Sequence, residues 1–519
     1  MSKRDDLFDL IKIMSKSEKR YFKVIASQHT VKEKNKYVLL FDLVNKQKEY
    51  DEKAVKESIT DKMLKKNFAV EKNYLYNFLL KTLTSFHSQK SLNAKASNSL
   101  YTIRLLTSKA LYHQSSKLIA KTIKFAEQSE NFTLLLELLK LKVDFLEEIA
   151  ENEKIRETYE RMFEVQNIQN NVMRYRYYHN LMYEILSNLG RKPLNEIIAE
   201  AKEILNNDLL KSVDKGLCDE SKIRFYEVWG LYYYLEKDFK SAFKQSEQCV
   251  KIIEGAPFFK TEKQNNYISF LNNYIIFASA IREFEKANEK STTLKGLLTK
   301  DSTNRTNINI FSSASLIETN YFISTSQFQK VYDVVDELES GLELFGDKMF
   351  LSRKYGLFFN VSVLYFINGD FNLALKWINR IIHFEEPTTR TDVLGFAWLL
   401  NLIIHFELKN YDYLDYLMKS TQRYLNNKNQ LKATAKALVD LIKVQVKLSD
   451  KDKRHQAYVN CLATLESDTC KQELSEGGYF EIQLWVKSKI EKRSYPILIT
   501  EYNNSLDEKK SLLNKEFIC

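Results

Sequence analysis

With 519 residues, 44% of them hydrophobic, the chain is long enough for several domains or one extended array and apolar enough to fold. Only 12 Gly and 4 Pro leave few breakers for strands or long loops, so helix is expected almost throughout. The net charge of +10 sits mostly at one end, because residues 1–90 hold 20 Lys/Arg against 12 Asp/Glu and the remainder is only +2. Such asymmetry suits either an acidic partner or a lysine-rich solvated surface.

The first 90 residues read as four or five short helices. Leu7, Phe8, Leu10, Ile11 and Met14 form one apolar stripe. Ser15 with Glu18 is a capping-box pattern opening a second helix, with Tyr21, Phe22, Val24 and Ile25 inward. A charged break at 32–36 precedes a third helix carrying Val38, Leu39, Phe41 and Leu43. Asp51 can cap a fourth with Val55, Ile59 and Leu64, and a turn at 67–69 leads to a fifth with Tyr74, Leu75, Phe78, Leu79 and Leu83. Lys53–Lys65, a turn and Glu71–Leu83 have the outline of a helix-turn-helix. In that reading Asn73, Asn77 and Lys81 share a face that can enter a major groove, while Lys62, Lys65, Lys66 and Lys72 meet phosphates. Lys65, Lys66 and Lys72 are expected on the solvent side.

Small polar residues from Ser88 to Ser99 suggest a linker or loop. Beyond them a phrase recurs: an aromatic-rich helix, a polar break, an aromatic residue, and a small or aliphatic one three positions later. The anchors Phe239, Phe284, Phe328, Phe371 and Tyr411 are 45, 44, 43 and 40 residues apart. Extending the series gives Lys117, Ile155 and Leu194 upstream and Gln456 downstream. A near-constant period of this size marks stacked helical hairpins. Residues 301–309 read as an inter-hairpin loop. After Gly477 and Gly478, a helix with Tyr479, Ile482, Leu484 and Trp485 runs to Tyr495-Pro496, followed by a polar tail.

Two segments resemble the tetratricopeptide repeat. In one, Tyr226, Trp229, Gly230 and Tyr233 match the first-helix signature and Ala242 the second-helix Ala. In the other, Phe358, Val361, Tyr365, Gly369-Asp370-Phe371 and Ala374 match, with Pro387 near the closing Pro and Trp398 opening a further repeat. The period is longer than the family's 34 residues. The expected fold is all-α: a basic helical module at 1–90, a linker or loop at 91–99, a superhelical array of tetratricopeptide-like hairpins at 100–476, and capping helices with a tail at 477–519. The resemblance implies a concave channel gripping an extended peptide, with Arg224, Asn272, Asn273 and Asn320 as polar lining groups. The corresponding positions Phe359, Val363, Phe366 and Ile367 are apolar, and there a neighbouring helix or an apolar ligand must fill the channel.

Motifs for catalysis are missing from the sequence. There is no phosphate-binding glycine loop, no His-Glu-x-x-His, and no cysteine pair at two-residue spacing. Cys461 and Cys470 near His455 suit buried structural thiols better than a metal site, and His383 and His405 sit in repeat helices. Five scattered cysteines fit no disulfide framework, the N-terminus lacks a signal peptide's apolar core, and residues 396–406 are too short to span a bilayer. The expectation is a non-enzymatic cytoplasmic scaffold or adaptor, without cofactor, metal or membrane contact, binding a protein or peptide on the concave face. The alternative is a DNA-binding regulator whose N-terminal module touches DNA while the repeats sense a partner.

Overall fold

The computed structural model describes residues 5–28, 36–88, 92–188, 192–299, 305–382, 391–428, 430–475 and 481–516. The fold is all-α, an array of consecutively packed helices with no β-strand among the described residues. Two compact units divide it, Met1–Phe277 with Thr299–Asn307, and Ala278–Leu298 with Ile308–Cys519.

The first unit opens with α1 (Asp6–Ile13), α2 (Lys16–Gln28), α3 (Lys36–Lys46), α4 (Glu52–Ser58), α5 (Lys62–Lys66) and α6 (Phe68–Ser88). Leu7, Ile11, Phe22, Phe41, Leu75 and Leu79 bury a core of their own. The capping box forms reciprocally: Glu18 accepts from the Ser15 amide at 2.6 Å and Ser15 Oγ from the Glu18 amide at 3.3 Å. Asp51 caps α4 through the amides of Lys53 and Ala54. Val24, Leu39 and Tyr74, expected inward, are exposed. The helix outlined over Lys53–Lys65 is broken at residues 59–61, because Asp61 starts a new helix by accepting from the amides of Met63 and Leu64. The charged break at 32–36 lies outside the described residues except for Lys36, which begins α3.

Next come α7 (Leu92–Ser108), α8 (Tyr112–Gln128), α9 (Phe132–Glu148), α10 (Asn152–Leu186), α11 (Leu194–Leu205), α12 (Asp219–Leu235), α13 (Phe239–Glu254), α14 (Pro257–Glu262) and α15 (Gln264–Ala280). Residues 92–99 are therefore the start of a helix, not a linker. The carboxylate of Glu262 accepts from the amides of Leu92 and Asn93, closing the helix end from 170 residues away.

The remaining helices are α16 (Phe284–Gly296), α17 (Arg305–Ser324), α18 (Lys330–Phe345), α19 (Leu351–Ile367), α20 (Phe371–Ile382), α21 (Thr391–Glu407), α22 (Tyr411–Lys428), α23 (Lys432–Lys447), α24 (Lys451–Leu465), α25 (Asp468–Ser475), α26 (Ile482–Glu491) and α27 (Tyr495–Glu516). The expected loop at 301–309 is helical from Arg305 onwards, and 301–304, Gly477, Gly478, Tyr479 and Pro387 lie outside the described residues. The expected polar tail is the 22-residue α27, with Pro496 in its first turn, where a missing N–H costs nothing. Asn503 of α27 donates to the Ile323 carbonyl at 2.9 Å, and Arg282 donates to Asp507 at 2.9 Å, so this helix is fastened across earlier turns of its unit.

Five of the repeat anchors mark helix starts, whereas the extended positions Lys117, Ile155 and Gln456 fall inside α8, α10 and α24. Leu194, Phe239, Phe284, Phe371 and Tyr411 are the first residues of α11, α13, α16, α20 and α22, and Phe328 lies two residues before α18. Two positions before the anchors at 239, 284, 328, 371 and 411 stands a left-handed residue: Lys237, Arg282, Ser326, Gly369 and Lys409, with φ of 61, 58, 59, 84 and 59°. The following amide bonds back five residues, as in Asp238 to Tyr233 at 2.9 Å and Asp370 to Tyr365 at 3.0 Å. This is a Schellman closure, and the recurring period is the spacing of these closures. Only Gly369 adopts the left-handed region without steric cost; the other four bear side chains there and are held by the packing of the flanking helices.

Candidate functional site

The long helix α10 presents two opposite faces, one packed and one exposed. Its inner face packs on α12 through a ladder of charges. Arg176 Nε donates to Glu220 at 2.6 Å, and Lys263 pairs with the same carboxylate, which is 3% exposed. Burial pushes the Glu220 carboxyl up, but Lys263 and Arg176 together hold it below its ordinary value. At the next rung Glu227, fully enclosed, accepts from Arg224 Nη1 at 2.6 Å and lies 3.4 Å from His179 Nε2. Here too burial raises the carboxyl, while His179 and Arg224 outweigh it and leave it lowered. Glu130 accepts from the amides of Asp219 and Glu220 at 2.7 and 2.9 Å, capping α12 from another hairpin. Its burial dominates those bonds, and its carboxyl is raised.

The adjoining loop is locked by the same helices. Asn171 donates to the Lys215 carbonyl and accepts from the Leu217 amide, Tyr175 donates to Leu209 O, and Trp229 Nε1 to Leu210 O at 3.1 Å. Between α12, α13 and α15 a cavity of about 20 Å³ is lined by Glu227, Gly230, Ser246, Cys249 and Asn273 among others. It has room for one water.

Of the four residues assigned to the peptide channel, Arg224 is thus engaged with Glu227. Asn272 is buried, Asn273 lines the small cavity, and in the second unit Asn320 accepts from Asn360 Nδ2 at 2.5 Å. The apolar positions Phe359, Val363, Phe366 and Ile367 are all buried, with Phe366 against Tyr495 of α27.

The outer face of α10 is exposed. Tyr159, Phe163, Gln166, Asn170, Met173 and Tyr177 recur at three- and four-residue spacing, which aligns them along about 27 Å of helix. Phe163 is 66% exposed and Tyr177 59%. Arg156 and Arg174 lie beside this row and are also exposed. The row could have been found in the sequence: an ordinary surface helix has one apolar stripe, whereas α10 carries apolar residues on both sides. The ladder could not, since its partners lie up to 90 residues apart.

In the N-terminal module Lys65, Lys66, Asn73, Asn77 and Lys81 are exposed. Asn77 Nδ2 donates to the Asn73 carbonyl at 2.9 Å. Lys72 is not on the solvent side. Its side chain is 21% exposed, and its ammonium pairs with Asp5 and Glu52 and lies 4.8 Å from the Tyr50 ring centre. Burial works against its charge, but the bonds to Asp5 and Tyr50 prevail and its pKa is raised.

Cys461 and Cys470 are buried, and burial pushes the Cys461 thiol up to about 12, so it is not a ready nucleophile or ligand. His405 takes an Asn410 contact at 3.0 Å and is lowered by burial; His383 lies outside the described residues. Among the described residues no group of three or more His, Cys, Asp or Glu could hold a metal ion, and no helix is long and apolar enough to cross a membrane. No protein-family model matches the chain, and no curated protein is significantly similar to it in sequence.

Proposed function

We propose that this chain is a non-catalytic cytoplasmic scaffold or adaptor of the tetratricopeptide-like kind, which binds a protein partner on its helical array. The observation that carries this reading is the exposed row on α10. Three aromatic rings and a methionine in water, along five turns of one helix, have the composition of an interface core rather than of ordinary surface. The test replaces Phe163 by the photo-crosslinking analogue p-benzoylphenylalanine in the full chain and irradiates it in native lysate. Discrete protein adducts are expected. Their absence, or adducts to nucleic acid alone, would remove the reading.

A second reading is favoured by one observation, the exposure of Lys65, Lys66, Asn73, Asn77 and Lys81 along α5 and α6. If that face meets DNA through phosphates, affinity for labelled duplexes should fall with salt by about one log–log slope unit per phosphate contacted. The triple change Lys65→Glu, Lys66→Glu and Lys81→Glu should abolish binding, whereas Asn73→Ala with Asn77→Ala should relax sequence preference more than affinity. Lys72 drops out of the set because its charge is held within the module. No binding of the full chain at low salt would retire the DNA reading.

A further inference from the structure

We infer that Arg353, in the first turn of α19, takes an acidic side chain of the protein partner, an assignment that rests on the scaffold reading above. Its Nη1 is fixed by α17, donating to Ser313 Oγ at 2.7 Å, Ser312 Oγ at 3.1 Å and the Asn309 carbonyl at 3.4 Å. All three acceptors are neutral. Nε and Nη2 make no hydrogen bond to the described residues, and neither is sealed from solvent. These two nitrogens form the side of the guanidinium that a carboxylate bridges with two parallel bonds.

The charge on this group is otherwise unanswered. The residue is half-buried, and burial lowers its pKa with no carboxylate acting in the other direction. α19 and α20 contain no Asp or Glu, and Glu318 of α17 pairs with Lys295. Glu343 and Asp347, the acids closest before it in the chain, are exposed and make no ion pair with it. The helix end widens the deficit, since α19 has neither a side-chain cap nor an acid in its first turn, where an anion is favoured and a cation is not. Elsewhere comparable cations are answered: Arg224 by Glu227, Arg282 by Asp507 and Arg380 by Glu339. A guanidinium taken partly out of water among neutral groups is destabilising, and a carboxylate on Nε and Nη2 would remove that penalty.

The surroundings decide what brings the carboxylate. A nucleic-acid strand needs a track of cations, and beyond their first turns α17 and α19 contain no Lys or Arg. Phe350, three residues before Arg353 and 60% exposed, offers an apolar contact one turn away. The two suit a peptide segment in which an acidic side chain neighbours an apolar one.

The test uses the full-length chain with Phe350 replaced by p-benzoylphenylalanine. A displayed library of random 12-residue peptides is selected for crosslinking to it. The captured peptides should be enriched in Asp or Glu next to an apolar residue and should bind equally well with an amidated C-terminus. They should lose about tenfold or more in affinity for Arg353→Gln and for Arg353→Lys, which keeps the charge but not the fork. Melting guards against a folding defect. Arg353→Gln should melt at or above the natural chain because it removes an unanswered charge, whereas Arg380→Gln, which breaks the pair with Glu339, should melt lower.

A failure to capture peptides would overturn the inference, as would peptides without acids or equal affinity for Arg353→Gln. So would peptides that need a free C-terminus, which would place a chain end there instead of a side chain. Single-stranded RNA binding, or a dimer in sedimentation, that vanishes with Arg353→Gln would assign the site to another occupant. An Arg353→Gln chain that melts as low as Arg380→Gln would make the arginine a structural support of α17. The crosslinking experiment at Phe163 separates the two levels. Protein adducts there, together with any of these results, leave the scaffold standing and this site refuted; no protein adduct at Phe163 removes the scaffold and the partner's carboxylate together.

Discussion

Replacing Glu227 by Gln should destabilise the first unit by about 3 kcal/mol at neutral pH, the low end for removing one partner from a buried ion pair. The low end applies because the Arg224 and His179 side chains left behind are 15% and 12% exposed and keep some access to water. The effect should depend on pH with a definite sign. The folded carboxyl is lowered relative to its ordinary value, so its stabilisation is fully present above the ordinary carboxylate pKa and disappears as pH falls through the folded one. The margin of the natural chain over Glu227→Gln should therefore be full at pH 7 and shrink in acid, below about pH 4. Urea titrations of both chains at neutral and acid pH, with hydrogen exchange of α12 at neutral pH, measure it. Equal stability at pH 7 would mean the ladder contributes nothing.

Gly341→Ala should reverse the usual sign of its substitution class. Glycine to alanine inside a helix ordinarily stabilises by up to about 1 kcal/mol. At Gly341, in α18, an added Cβ would lie 2.1 Å from Cε2 and 2.3 Å from Cζ of Phe311, whose ring is buried with its centre 5.3 Å from that of Phe345. Overpacking of that sort costs about 1–3 kcal/mol, and a net loss is expected. Gly230→Ala supplies the contrast: the new methyl would meet Gln245 Cβ at 3.6 Å, an ordinary contact, and the helix gain should survive. Gly230→Leu or Ala242→Leu, by comparison, would force α12 and α13 apart and cost about 1–3 kcal/mol. Adding Phe311→Leu to Gly341→Ala should recover part of the loss, since the two residues share one contact. Thermal melts of the natural chain and these five variants decide it. A stabilised Gly341→Ala would show that α17 and α18 do not approach as described.

The helices of the repeat region were legible because a local event recurs. At Phe239, Phe284, Phe371 and Tyr411 a helix begins just after the chain has turned through a left-handed closure, and a turn of fixed shape followed by an aromatic residue leaves a local trace. That trace lies in the aromatic anchor rather than in glycine, which occupies one of the five turns. What could not be read depends on partners far along the chain. The start of α7 looked like a linker because its cap is Glu262, and α27 looked like a tail because Ile323 and Arg282 fix it in place. Lys72 looked solvated because Asp5 and Tyr50 are brought to it by the folding of the module. The assigned channel residues share this limit. Position within a repeat says which helix face a side chain occupies, and Glu227 beside Arg224 then depends on the rotamers and the neighbouring helix.

The attachment of α27 has a consequence for how the second unit is made. Hairpin arrays built on neighbour contacts acquire their structure progressively as they leave the ribosome, since each hairpin needs only the one before it. Here Arg282 and the Ile323 carbonyl wait for Asp507 and Asn503, residues synthesised 225 and 180 positions later. Until that last stretch has emerged from the exit tunnel, the edge it will cover stays open to chaperones and to neighbouring nascent chains. Ribosomes stalled short of residue 503 would thus hold a second unit that is helical but unfinished, its open edge still awaiting α27.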